Sequence, residues 1–228
     1  MKYKDIRQAV FLKRLNRFIA EIDIDGKPEL CHVKNTGRLK ELLTYGAKIY
    51  IQAHDNPERK TKYSLIAAEK GKEVVNIDSQ MPNKVFYEWV QKGGFADGVT
   101  LIKPEKTYGK SRFDCYIEAS GRKMFVEVKG VTLEKEGTAL FPDAPTERGV
   151  KHLRELCDCV KDGYEAYIVF VVQMKGVHSF SPNAETHAEF AKALYECKEN
   201  GVNILCVDCI VSPDSIVIDK EIKVNLLP

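Results

Sequence analysis

The sequence of 228 residues has no hydrophobic run long enough to form a membrane helix. A spanning helix needs about 20 apolar residues, whereas the longest apolar run here, residues 166–172, has the length of a strand. The first few residues also lack the apolar stretch of a secretion signal. We therefore expect a cytoplasmic protein without a membrane partner.

Cysteine and tryptophan patterns argue against two further classes of site. The seven cysteines include one Cys-x-x-Cys pair, Cys206 and Cys209, but no second pair that would complete a zinc site. The two thiols lie three residues apart in a strand-like run, so they point to opposite faces, and we expect free buried thiols. The single tryptophan, Trp89, lies in a predicted helix. This disfavours a carbohydrate-binding barrel, the weakest of three functional hypotheses.

The chain also has little net charge, only +2. This balance hides an asymmetry, because residues 1–78 hold 16 Lys or Arg against 11 Asp or Glu, whereas residues 79–228 hold 19 against 22. Such a difference indicates two domains with different partners. We place the domain boundary at residue 78.

Residues 1–78 alternate short apolar strands with turns. Residues 18–24 and 30–33 flank Asp25-Gly26, a strong hairpin signal. A short helix is expected at residues 38–43, and three further strands follow it. About five short strands in so small a region favour a closed barrel of the oligonucleotide/oligosaccharide-binding (OB) type.

Residues 79–228 have a mixed texture in the order α-β-β-β-α-β-α-β. Asn83 is expected to cap the first helix, and Thr146 the second. Between them lie a hairpin of two strands and a loop over residues 130–145. A third helix is expected at residues 184–200. This order predicts a mixed sheet flanked by helices.

Two carboxylates and a lysine are expected to meet at one end of that hairpin. Glu127 and Lys129 share a face of one strand because side chains alternate, and Asp114 lies on the adjacent strand. Mg²⁺ or Mn²⁺ could be bound by Asp114, Glu127 and the Val128 carbonyl. Lys129 would hold the attacking water or a phosphate oxygen. The alternative is a solvated salt bridge on a hairpin.

Three helical residues are further candidates. Glu88, on the first helix, could join the catalytic group, although an exposed helix glutamate is the simpler interpretation. Arg148 and Lys151, on the second helix, could contact phosphates or simply form a solvated face. Their neighbour His152 is expected at the edge of the core.

The barrel carries basic and polar residues interleaved with aromatic ones, a composition that suits nucleic acid binding without base readout. The candidate nucleic-acid-binding residues of the barrel are Arg14, Arg17, Lys34, Asn35, Arg38, Arg59, Lys60, Lys62 and Tyr63. The alternative is a basic hairpin loop without a ligand.

Five segments resemble the sugar fermentation stimulation protein A family. They read RLNRF (14–18), HVKNTGR (32–38), SRFD (111–114), VEVKGVTL (126–133) and FPDAPTERGVKHLREL (141–156). The resemblance implies an N-terminal OB-like barrel followed by a PD-(D/E)xK nuclease-like α/β domain. Asp114, Glu127 and Lys129 would then match the three residues of that motif.

The family resemblance also implies sequence-nonspecific DNA binding and a regulatory link to sugar metabolism. Two functions stay open: a Mg²⁺-dependent nuclease acting on DNA or RNA, and a noncatalytic DNA-binding regulator that retains a nuclease scaffold. The sequence leaves the oligomeric state, monomer or homodimer, undetermined.

Overall fold

A computed structural model describes residues 1–226 of the chain. The N-terminal part is a barrel whose strands neighbour one another in the order β3-β2-β1-β4-β5-β6. An additional parallel pairing of β3 with β5 closes it. The strands are β1 (Ile6–Arg14), β2 (Ile19–Ile24), β3 (Lys27–Val33), β4 (Lys48–Ala53), β5 (Tyr63–Lys70) and β6 (Glu73–Asn76).

Local sequence patterns account for much of the barrel. Strand β2 alternates half-buried and buried residues along its whole length, as a strand with one face in the core must. Asp25 and Gly26 both have positive φ, 56° and 75°, as a two-residue hairpin turn of type I′ requires. The predicted hairpin is confirmed.

Two features of the barrel differ from the sequence prediction. Strand β1 was missed, because only Ala9 and Phe11 of its nine residues are buried and the alternation is short. The helix expected at residues 38–43 is instead a single turn, in which the amides of Leu42 and Leu43 bond to the Leu39 carbonyl. Leu39 has a φ of 50°, which a right-handed helix does not permit.

The second part is a six-stranded mixed sheet with helices on both faces. Its strand order is β15-β14-β12-β9-β8-β7, parallel from β9 through β12 to β14 and antiparallel elsewhere. The helices are α1 (Met81–Gln91), α2 (Glu147–Lys161) and α3 (Ala188–Glu199). The strands are β7 (Val99–Tyr108), β8 (Ser111–Ala119), β9 (Arg122–Val131), β12 (Glu165–Val172), β14 (Asn203–Ser212) and β15 (Ser215–Glu221).

The core of this domain lies in two layers. Phe86 and Val90 of α1 pack on one face of the sheet, and Leu153 of α2 and Phe190 of α3 pack on the other. Among residues 1–226, no helix combines the length and the apolar character needed to cross a membrane. The expected fold class, an OB-like barrel followed by a mixed-sheet α/β domain, is confirmed.

The connections of the second domain depart from the prediction in detail. Residues 130–145 are not a plain loop, because they form a hairpin inside a second, small sheet ordered β10-β11-β13-β16. Its strands are β10 (Leu133–Lys135), β11 (Thr138–Phe141), β13 (Ser179–Pro182) and β16 (Lys223–Val224). Helix α3 begins later than expected, because β13 and a turn precede it.

The two predicted helix caps have different outcomes. Thr146 caps α2 as expected, and its side chain accepts from the Gly149 amide. Asn83 is not a cap, because α1 already begins at Met81, with Pro82 in its first turn. Proline suits that position since its missing N–H would have no helical partner there.

Candidate active site at the strand ends

The site lies where strands β8 and β9 separate. The backbone pairing of β8 with β9 ends at Cys115 and Val126. Beyond that pair, the Asp114 carboxylate, instead of a backbone carbonyl, bonds to the strand β9 backbone. Its Oδ2 accepts from the Val128 amide at 2.9 Å, and its Oδ1 accepts from Asn83 Nδ2 at 2.7 Å. Asp114 is thereby brought to the residue between Glu127 and Lys129.

Glu127 is the buried centre of the site, with only 2% of its surface exposed. One oxygen, Oε1, accepts from Lys129 Nζ at 2.5 Å and from His152 Nδ1 at 2.5 Å. Within residues 1–226 the other oxygen, Oε2, is buried without a hydrogen-bond partner. A buried carboxylate oxygen in that condition is costly unless something positive binds it.

His152 is the functional candidate that sequence reasoning missed. It is 4% exposed, so it lies inside the core rather than at its edge. Arg148 Nε donates to His152 Nε2 at 3.4 Å, and because a guanidinium can only donate, the ring proton must lie on Nδ1 and point to Glu127. The spacing of Arg148 and His152, one helical turn apart beside a predicted catalytic strand, was the available signal.

The pKa values of the two carboxyls of the site are shifted in opposite directions. Burial alone would raise the pKa of Glu127, but the hydrogen bond from His152 and the charge of Lys129 outweigh it and hold this pKa below its ordinary value. Burial, and then the negative charge of Glu127, raise the pKa of Asp114 despite the donors around it. A cation bound between the two would relieve that repulsion.

An open cavity of about 790 Å³ lies in front of Asp114, on the α1 side of the sheet. Its lining includes Asn83, Glu88, Asp114 and Val128. A smaller polar cavity of about 150 Å³ lies between the barrel and the second domain. Ser79 lines both, so the two cavities adjoin.

Glu88 lines the larger cavity but does not bond to Asp114. Its carboxylate pairs with the Met1 amino group at 2.7 Å and with Lys92 at 2.8 Å. Those hydrogen bonds, Lys92 first, lower its pKa. Its assignment to the catalytic group stays a prediction.

The predicted nucleic-acid-binding residues of the barrel fall into two groups. Those in the first group have internal partners. Arg14 donates to the backbone carbonyls of four residues, Lys34 pairs with the buried Asp78 at 3.1 Å, and the Asn35 side chain bonds to the Ile77 carbonyl and the Gly37 amide.

The second group is open to solvent. On the barrel, its exposed members are Arg17, Arg38, Arg59, Lys60 and Lys62, whereas Tyr63 is half-buried at the start of β5. On α2, Arg148 and Lys151 are exposed as well. Three of them also have internal partners: Arg59 donates to the Thr61 carbonyl and the Ser64 hydroxyl, Arg148 donates to His152, and Lys151 pairs with Glu155.

Another acidic group lies where the N-termini of α2 and α3 meet. Glu147, His187 and Glu189 have ligand atoms within 4.8 Å of one another. The two glutamates are exposed, and Glu189 is paired with Arg154 at 2.8 Å. Carboxylates near helix N-termini are favoured by the helix dipole alone.

Comparisons with known proteins cover both domains. A family model described as "SfsA N-terminal OB domain" matches residues 12–77. A second, described as "Sugar fermentation stimulation protein RE domain", matches residues 80–215. The chain belongs to the sugar fermentation stimulation protein family. The homolog of Clostridium beijerinckii is 59% identical over 226 residues, covering 99% of this chain and 100% of that one. The Ruminiclostridium cellulolyticum homolog is 55% identical with the same coverage.

A solved structure shows the same overall architecture. SfsA of Pyrococcus furiosus, determined in complex with Ca²⁺, is 31% identical, with a TM-score of 0.90 over 99% of this chain and 98% of that one. The expected family is therefore confirmed over the whole chain.

Proposed function

We propose that this chain is a divalent-cation-dependent phosphodiesterase that binds DNA without sequence preference and cleaves it at the end of strands β8 and β9. The observation that carries the proposal is Glu127. Its buried carboxylate is held ionised by Lys129 and His152 and keeps one oxygen without a protein partner among the described residues. A carboxylate in this state is a ready cation ligand.

The donor set around Glu127 fits Mg²⁺ or Mn²⁺. Asp114, Glu127 and the Val128 carbonyl would supply hard oxygen ligands, which Mg²⁺ prefers. When bound, the cation would lower the pKa of a coordinated water and neutralise charge on a phosphate. The Ca²⁺ in the P. furiosus relative supports a cation in this family, since Ca²⁺ and Mg²⁺ both take oxygen ligands.

The remaining residues of the site have roles that need no metal. Asn83 and the Val128 amide orient Asp114, and His152 fixes the plane of the Glu127 carboxylate. Lys129, 17% exposed at its side chain, would hold the attacking water or a phosphate oxygen. Arg148 and Lys151 would contact phosphates beside the strand ends.

The barrel supports nucleic acid as the substrate class. Its exposed cations would bind the phosphate backbone, and such contacts carry no sequence information. The open cavity beside Asp114 and the polar cavity under the barrel adjoin at Ser79. A strand bound to the barrel would thus have a route to the strand ends.

The test is cleavage of single- and double-stranded DNA, and of RNA, with Mg²⁺ or Mn²⁺. We expect cleavage that EDTA abolishes and that falls at least about a hundredfold in Lys129→Ala, the range seen when a charge-stabilising donor is lost. Lys123→Ala is the matched control, because Lys123 is an exposed lysine at the opposite end of the same strand. Cleavage that survives Lys129→Ala, or none on any substrate, would overturn the catalytic proposal.

A noncatalytic DNA-binding regulator is the second candidate. It is favoured by the hydrogen bond that each Asp114 oxygen already accepts, and by the pairing of Lys129 with Glu127. The link to sugar metabolism comes from the family alone. Salt-sensitive DNA binding without cleavage under any metal condition would select this candidate.

A further inference from the structure

A cluster of two histidines and an arginine surrounds a buried serine on the outer face of the barrel. His32 of β3 lies beside Ser64 of β5 in the parallel register. Ser64 is fully buried, and its hydroxyl contacts His54 Nε2 at 2.9 Å and Arg59 Nη2 at 3.1 Å. Two side chains of the loop between β4 and β5 thus bond to one hydroxyl group, and His32 lies on the neighbouring strand.

The Ser64 hydroxyl can keep its hydrogen bond to His54 whether His54 is neutral or protonated. Because a guanidinium only donates, Ser64 Oγ accepts from Arg59. Beside a neutral His54 it donates its own proton to Nε2, and beside a protonated His54 it accepts on its second lone pair. His54 can therefore gain a proton without breaking this hydrogen bond.

The cluster has more positive than negative charge close to it. Lys34 is neutralised by the buried Asp78 at 3.1 Å, whereas Arg59 forms no ion pair with any residue in the described part of the chain. Asp55 is exposed nearby. The exposed charge of Arg59 is therefore open to an anion from outside the chain.

Burial first, and then this positive charge, lower the pKa of both histidines. Burial, and then Arg59 and Lys34, lower the pKa of His32, and Asp78 opposes them only in part. Burial, Arg59, Lys34 and His32 likewise lower the pKa of His54 against Asp55. A bound anion would oppose both shifts, since it favours the charged imidazolium.

We propose that His32, His54 and Arg59 form a binding site for a phosphodiester of a nucleic-acid strand, and that binding there strengthens as the pH falls. Protonated imidazole and guanidinium groups are strong, charge-assisted donors to phosphate. This inference rests on the nucleic-acid binding argued under Proposed function and identifies where one phosphate sits. It also adds His32 and His54 to the expected nucleic-acid-binding residues, while the buried Ser64 holds His54 and Arg59 in place.

The position of the cluster suits a strand that continues to the cleavage site. Lys34, two residues after His32, accepts at its carbonyl from the Ser79 amide at 3.2 Å. Ser79 lines the cavity that contains Asp114. The barrel site would therefore hold the strand a short distance from the catalytic group.

The experiment measures anisotropy of a fluorescent DNA oligonucleotide with the full chain, in EDTA so that cleavage plays no part. The affinity is compared between about pH 8 and about pH 5.5, across the range in which histidine titrates, at one ionic strength. We expect the wild type to bind about tenfold more tightly at the lower pH, as one charged hydrogen bond allows. His32→Gln/His54→Gln should lose this gain, whereas His178→Gln, an exposed histidine of the second domain, should keep it.

A second measurement requires no substitution of a half-buried residue. NMR titration of the histidine ring protons should show the pKa of His32 and of His54 rising when the oligonucleotide is added. Affinity independent of pH, a double variant that keeps the pH dependence, or unchanged histidine pKa values in the complex would overturn this site while leaving DNA binding intact. Absence of DNA binding at either pH would instead overturn the proposed function together with the site.

Discussion

The strand-end site and the barrel surface use charged residues in opposite ways. At the strand ends, Glu127, Lys129 and, from α2, His152 form one hydrogen-bonded group, and Asp114 bonds to the Val128 amide between Glu127 and Lys129. On the barrel, some of the residues expected to form one basic surface bond to groups inside the protein, whereas others are exposed cations. The charged residues therefore form one compact group at the strand ends and one dispersed set on the barrel.

The two regions differ because only some sequence patterns constrain where a side chain lies. Strand alternation places Glu127 and Lys129 on one face whatever surrounds them. The basic residues of the barrel lie mainly near turns, where backbone carbonyls lack ladder partners and attract the nearest donor. Arg14 illustrates this, because it binds the carbonyls around the turn at residues 35–38.

The largest expected effect is the loss of stability when Arg14 is replaced. Arg14→Ala should lower the free energy of unfolding by about 2–4 kcal/mol, because carbonyls at Arg17, Asn35, Gly37 and Arg38 lose their charged donor. Urea unfolding measures the change.

The control for Arg14 is Arg17→Ala, since Arg17 is exposed and its removal should change stability by no more than about 0.5 kcal/mol. Arg14→Ala with normal stability but weakened DNA binding would contradict the division of the barrel residues and make Arg14 a phosphate contact.

A smaller effect is expected when Asp114 is replaced, and it should raise stability while it removes activity. Its raised pKa means that the folded state disfavours the ionised form, so its contribution to stability is smallest at neutral pH and grows as the pH falls through that pKa. Asp114→Asn should therefore raise the free energy of unfolding by about 0.5–2 kcal/mol at neutral pH, while abolishing metal-dependent cleavage.

Thermal unfolding at several pH values checks this prediction, and the gain should shrink as the wild-type carboxyl becomes protonated. Asp97→Asn is the control, because Asp97 is exposed and should show no gain. A loss of stability in Asp114→Asn at every pH would show that the carboxylate is instead a net stabilising group of the strand ends.

The smallest effect concerns single exposed cations of the barrel. Lys60→Ala should lower the slope of log affinity against log salt by about 1, because one phosphate contact releases about one counterion. Lys110→Ala, an exposed lysine in the turn between β7 and β8, should leave the slope unchanged. Equal slopes for both variants would remove Lys60 from the proposed surface.

Much of the fold was predictable from short-range patterns. The type I′ turn at Asp25-Gly26, the Thr146 cap and the buried strand at residues 166–172 each depend on neighbouring residues only. Strand β1 was missed because its partners on both sides, not its own alternation, hold it in the barrel. Residues 38–43 were misread because a positive φ at Leu39 leaves no mark in the apolar pattern.

The two-domain order, the family and the common face of Glu127 and Lys129 follow from the sequence alone, because periodicity and motif are properties of the chain. The contact of His152 with Glu127, the orientation of Asp114 by Asn83 and the binding of carbonyls by Arg14 depend on the packed fold. These contacts join groups that are distant in the sequence or lie in turns. Each of these contacts satisfies a polar group that the fold buries. Which groups are buried and in need of a partner is decided only when the helices and strands have packed.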